Sequence, residues 1–213
     1  MKIEVIKLKS YICHLRFTTR YDMSSTVVRI AEYFESPEFG GKVFTLDQFK
    51  KWYMKSRNKK KFTYYKDWSG YNIPSKELKP FLSGRFNPLS WKEKQFLEIF
   101  RNVKGRFYII CTYRRDKTEQ ETIDHETAHG MFWREKEYKK KVKEYLKDKD
   151  CEELVKKLYK MGYSKKVIVD ETNAYLANDL PWLRNKRKLK GEQYTQYAKD
   201  LNKLFKKYRD ISD

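Results

Sequence analysis

The chain has 213 residues and carries 49 Lys and Arg against 29 Asp and Glu, a net charge of +20. Apolar residues make up 39% and aromatic residues 16%, which excludes a disordered chain and points to a core rich in aromatic rings. No run approaches the roughly 20 apolar residues of a membrane span, and Met1 to Ser10 is too short in its apolar run for a signal peptide.

Cys13, Cys111 and Cys151 are odd in number and widely spaced, so neither a disulfide framework nor a zinc finger is expected. A reducing, cytoplasmic setting follows. The charge attracts phosphates, which makes nucleic acid bound through a basic surface the alternative partner. Charge alone shows field and not fold, and Lys-rich surfaces arise without such a partner. Nothing in the pattern specifies an oligomeric state.

Residues 2–18 are rich in Ile, Val, Tyr and Phe with partial alternation and are expected as strand. Ser24 or Ser25 should cap a short helix through Phe34, before Ser36-Pro37 and Gly40-Gly41 break the chain. Thr45 and Gln48 form a capping box that opens a helix to about Met54. Residues 62–90, with Gly, Pro and Asn among aromatics, are expected as an ordered loop whose rings seal a small core or line a cleft. Ser90 should cap a helix over 91–103, with Phe96, Ile99, Phe100 and Val103 on one face. Arg106 to Tyr113 is the strongest strand pattern in the chain.

Thr118 with Glu121 is a second capping box and opens a helix expected to reach about Lys147. A helix over 151–161 follows, then the apolar stretch 167–180, which Pro181 should stop or kink. From Arg184 onward, Tyr194, Tyr197, Leu201, Leu204 and Tyr208 recur at helical spacing in a basic amphipathic tail.

His125-Glu126-Thr127-Ala128-His129 falls at the second to third turn of the helix that Thr118 opens. Histidines at i and i+4 leave a helix on one face, one turn apart, so both imidazoles can reach one zinc ion at about 2.0–2.1 Å. Glu126 points beside the metal and is free of ligand duty, the position of a general base. A catalytic zinc needs a third protein ligand. The remaining histidine, His14, lies far upstream in a strand, so a third His downstream of His129 is excluded. Glu171 is the leading third ligand, sharing a helix face with Ala174, Tyr175 and Asn178; Asp170, Asp179 and Glu152 compete with it. Small Ala174 suits close helix approach, and Tyr175 or Asn178 could orient a ligand or polarise a carbonyl.

Residues 118–133 and 167–183 contain no Lys or Arg, in a chain with 49 of them. A cation site gains from excluding ammonium groups and gathering acids. Burial alone would also exclude Lys, but it does not account for the acids Glu119, Glu121, Asp124, Glu126, Asp170, Glu171 and Asp179.

On HETAH at 125–129 and DETNAY at 170–175, the sequence resembles the zincin metallopeptidases and, among them, the gluzincins, from the strand at 106 to about residue 180. The resemblance implies His125, His129 and Glu171 as zinc ligands, Glu126 as general base, and Tyr175 as the donor to the oxyanion. It implies a peptide or protein substrate, with the 106–113 strand pairing with the substrate backbone. The expected fold is α+β: a zincin-like core with a small mixed sheet packed on the motif helix, and a helical C-terminal half. The expected organisation is an N-terminal subregion over 1–104, a zinc-binding core over 105–183 and a basic helical tail over 184–213. The tail, or the 62–90 loop, could cover the cleft.

Overall fold

A computed structural model describes residues 1–114 and 118–210. It is α+β, and the chain divides into two compact units, Met1–Glu119 and Gln120–Asp213. The boundary lies later than residue 104 because the strong strand of Arg106 to Tyr113 is built into the sheet of the first unit.

That sheet begins with an antiparallel hairpin, β1 (Ile3–Lys9) and β2 (Ile12–Phe17). Helix α1 (Arg20–Glu35) starts at Thr19 rather than at Ser24 or Ser25. Thr19 has extended backbone, and its hydroxyl accepts the amide of Asp22 at 3.0 Å, whereas Ser24 is buried inside the helix. Helix α2 (Leu46–Ser56) opens with the expected capping box of Thr45 and Gln48.

The segment 62–90 is more ordered than a loop. It contains β3 (Gly70–Pro74) and the short helix α3 (Lys79–Leu82). β3 lies at the sheet edge, where a terminal Pro without an N–H is tolerated, and Tyr71 and Ile73 alternate inward. Helix α4 (Trp91–Phe100) carries the Ser90 and Glu93 capping box; Phe96 and Phe100 are buried with Leu97, while Val103 lies beyond the helix and is exposed.

β4 (Tyr108–Tyr113) completes the sheet in the order β1-β2-β4-β3, parallel to β2 and antiparallel to β3. It is hydrogen-bonded on both sides and offers no free edge. The expected role of this strand, pairing with a substrate backbone, is therefore ruled out by its internal position. Within the first unit the helix that packs on the sheet is α1, against β2, β3 and β4.

The core of this unit is aromatic, as the composition implies. Phe49 meets Phe39, Trp52, Phe62 and Tyr64 at centroid distances of 5.0–6.0 Å, mostly edge to face. Phe81 stacks on Phe86 at 3.9 Å. One ion pair is sunk into it. Arg29 of α1 donates through Nε and Nη2 to both carboxylate oxygens of Glu93 at 2.7 and 2.6 Å, and through Nη1 to the Phe86 carbonyl at 3.1 Å. Glu93 Oε2 also accepts the Ser90 amide at 2.7 Å, so the α4 cap and the anchor of α1 share one carboxylate.

The second unit is helical. α5 (Glu119–Arg134) starts directly after Thr118 but does not continue to Lys147. Glu135 takes an extended conformation, φ −92° and ψ 107°, and separates α5 from α6 (Lys136–Lys147). No Gly or Pro marks this break. α7 (Glu152–Met161) ends at Gly162, whose φ of 103° suits a residue without Cβ. α8 (Ile168–Asn178) and α9 (Leu180–Arg187) meet at Asp179, with Pro181 in the first turn of α9, the stop that Pro predicts. α10 (Gln193–Arg209) packs on α8 and buries Tyr194, Leu201 and Phe205. Residues 184–210 are thus part of the second unit's core rather than a detachable tail, and Phe205 fills the place expected of Leu204. Among the described residues no helix is long and apolar enough to cross a membrane.

The Arg29–Glu93 pair generates a stability prediction. Arg29→Ala leaves a buried carboxylate without its counter-charge, a change that costs about 3–5 kcal/mol. Urea unfolding should show that loss. A decrease under about 1 kcal/mol, the value of a surface pair, contradicts the assignment.

Candidate metal centre

The site lies wholly in the second unit. α5 carries His125, Glu126 and His129, and its apolar side is set by Ala128 and Met131, both fully buried. The four-residue spacing stacks the two imidazoles on one face, with centroids 4.9 Å apart. Their Nε2 atoms face each other at 3.2 Å.

The opposite ring nitrogens are held by carboxylates. His125 Nδ1 lies 2.5 Å from Asp179 Oδ2, and His129 Nδ1 lies 3.0 Å from Asp170 Oδ1. For His125 the bond to Asp179 favours the tautomer that leaves Nε2 with its lone pair, whereas Asp170 Oδ1 lies beside His129 Nδ1 as an ion-pair partner and is not satisfied by a hydrogen bond. Two bare lone pairs at this distance repel, and a proton or a metal ion between them relieves the repulsion. The third group is Glu171, whose Oε1 lies 3.7 Å from His129 Nε2. Its Oε2 is buried with no hydrogen-bond partner.

Among the described residues, His125, His129 and Glu171 form the one group of three such side chains able to hold a metal, with ligand atoms all within 4.8 Å of one another. Tetrahedral zinc with bonds of about 2.0–2.1 Å sets its ligand atoms about 3.3 Å apart. The imidazole pair matches that spacing, and Glu171 needs a small side-chain adjustment. Two nitrogens and one carboxylate are a donor set that suits zinc, and Glu171 Oε2 has no hydrogen bond that such a contact would break.

Protonation follows from the same geometry. Burial pushes the His129 pKa down, but the charges of Asp170 and Glu171 outweigh it and raise the group well above 6.5. His125 is also raised, burial being offset by its bond to Asp179. Glu171 is raised by burial, only partly countered by the two histidines.

Glu126 is 9% exposed, and its charge acts on both histidines, on Glu171 and on Tyr175. The Tyr175 ring stands edge-on to His125 at 4.7 Å, and its hydroxyl is 3.1 Å from that of Tyr163. Burial raises the Tyr175 pKa, so the phenol keeps its proton.

The structure thus brings together His125, Glu126, His129, Glu171 and Tyr175. The competing third ligands take other places. Asp170 and Asp179 face the outer imidazole nitrogens, and Glu152 is exposed and paired with Lys156 at 2.6 Å. Asn178 spends its amide on the carbonyls of Asp124 and Ala174, at 3.3 and 3.4 Å, tying α8 to α5 rather than facing a ligand. His14 is a buried residue of β2, bonded to Thr112 at 2.8 Å and kept neutral by burial, which lowers its pKa to about 4. Tyr163 and Trp182 were not legible as site residues, because only the tertiary fold sets them against Tyr175.

No protein-family model, curated protein or solved structure matches this chain.

The site has a pH signature. Free of metal, His125, His129 and Glu171 all hold protons more tightly folded than unfolded, so stability falls as pH rises. For Glu171 the loss begins above 4.5; for the imidazoles it begins above 6.5 and runs through their raised folded values. Zinc takes only deprotonated ligands and reverses the slope. In EDTA the thermal midpoint should drop between about pH 6 and about pH 8, and with one equivalent of zinc it should rise over the same interval. A flat midpoint in both conditions contradicts the site.

Proposed function

We propose that this protein is a zinc-dependent peptidase. The observation that carries the reading is the convergence of two carboxylate-braced imidazoles, Nε2 to Nε2 at 3.2 Å, on the partnerless Glu171 oxygen. In this reading His125, His129 and Glu171 hold the ion. The resemblance of HETAH and DETNAY to gluzincins supports the same set.

Zinc supplies Lewis acidity, which polarises a carbonyl and acidifies water. The rest falls to the chain. Asp179 and Asp170 keep Nε2 of each histidine turned inward and raise its basicity. Glu126, on the helix that carries both histidines, takes a proton from the attacking water and returns it to the departing amine. In this reading Glu126 is not itself a ligand, since His125, His129 and Glu171 take the three protein positions. Tyr175, protonated and in contact with His125, donates a hydrogen bond to the oxygen on which charge develops, a contribution typically worth about 3 kcal/mol. The hydroxyl of Tyr163 orients it.

Glu126→Gln is the test. It should retain one zinc per chain and lose at least about 100-fold in cleavage of unstructured peptides, the usual scale of a general base. Cleavage near the wild-type rate contradicts the role of Glu126, and absence of cleavage by zinc-loaded wild type contradicts the peptidase reading.

A further inference from the structure

The base-free stretch around the site ends at Leu183, and the next seven residues hold five bases: Arg184, Lys186, Arg187, Lys188 and Lys190. α9 joins the two regions. It starts beside Asp179, the partner of His125, and ends at Arg187.

A continuous chain of ring contacts leads from the site to it. The His125 ring meets Tyr175 at 4.7 Å, Tyr175 stacks on Trp182 at 5.7 Å with an interplanar angle of 25°, and the Arg187 guanidinium lies 5.0 Å from the Trp182 centroid. Arg187 is exposed, and among the described residues no carboxylate pairs with it; Trp182 is 37% exposed, so the stack is open to solvent along one side. A guanidinium fixed over an indole has lost much of its conformational freedom before any ligand arrives, and it presents a planar fork suited to carboxylates.

We infer that Arg187 and Trp182 form a substrate subsite that selects an acidic side chain. This rests on the peptidase reading of the same site. The bases that follow Leu183 add a field of the same sign, which draws acidic segments toward the site while the acids around the imidazoles keep cationic segments out. The three contacts of 4.7, 5.7 and 5.0 Å bound the reach from the His125 ring to the guanidinium, and an extended peptide advances about 3.3 Å per residue, so the guanidinium serves a side chain within about five residues of the bond being cut. Trp182 covers the aliphatic part of that side chain, and Arg187 takes its carboxylate in a bidentate pair.

The experiment compares zinc-loaded full-length protein on peptides that differ only by Asp, Asn or Lys at one position, placed in turn at each site within about five residues to either side of the scissile bond. On one side, wild type should show kcat/KM about tenfold higher for the acidic peptide at low salt, with the ratio shrinking toward one in about 1 M salt. Arg187→Glu should reverse the preference toward a peptide bearing Lys at that position. Equal rates for the Asp and Asn peptides, or an unchanged ratio in Arg187→Glu, overturns the subsite and leaves the peptidase reading standing. Failure to cleave any of the peptides overturns both together. A single-stranded oligonucleotide that binds wild type and not Arg187→Glu, with no acidic preference in cleavage, overturns the subsite in favour of a nucleic-acid partner.

Discussion

The second unit is organised by an electrostatic constraint: two imidazoles, His129 buried and His125 half-buried, face each other Nε2 to Nε2 at 3.2 Å with carboxyl groups gathered around them. Their orientation is not left to chance. His125 is held by Asp179 and His129 by Asp170, residues from opposite ends of α8, so ascending order on α5 meets descending order on α8 and the two helices run antiparallel across the site. Gathering Asp170, Glu171, Asp179 and Glu126 around this point concentrates negative charge that burial makes costly. A divalent cation offsets that cost; without one, the groups must hold protons, which is why both histidines and Glu171 have raised pKa values.

The surrounding helices serve the same arrangement. α8 is buried along Glu171 to Ala177 and packs against α6, α7, α9 and α10, so the helix that carries Glu171 is also the hub of the unit. Asn202 of α10 donates to the Ala177 carbonyl at 2.7 Å, and Tyr138 of α6 donates to the buried Asn173 at 3.1 Å. A site built on a packed helix rather than a loop keeps its side chains positioned. The distribution of charge follows from this. Lys and Arg are absent where the acids converge and crowd the stretch that begins at Arg184.

Much of this was legible in the sequence because it depends on local spacing. The i, i+4 histidines define a face without knowledge of the fold, and the gap in Lys and Arg at 167–183 directed attention to Glu171. The capping box at Thr45 and the cap at Ser90 located helix starts to the residue, since such signals need only a few consecutive positions. What depended on tertiary context was not legible. Asp170 and Asp179 were rivals of Glu171 by composition, and only their approach to Nδ1 distinguishes a brace from a ligand. β3 has five residues, with Gly and Pro at its ends, and is a strand because β4 pairs with it. The internal position of β4 likewise depends on partners from distant parts of the chain. The break at Glu135 has no Gly or Pro to announce it, and Phe205 is buried because α10 meets α8 on a face slightly rotated from the Tyr-rich one.

The most direct test of the account is elemental analysis of the purified protein beside its His129→Ala and Glu171→Ala variants, with circular dichroism to confirm that each is folded. The account predicts one zinc per chain in the wild type, loss of zinc in His129→Ala and much weakened retention in Glu171→Ala. A folded wild-type protein that takes up no zinc when the ion is supplied in excess would contradict it.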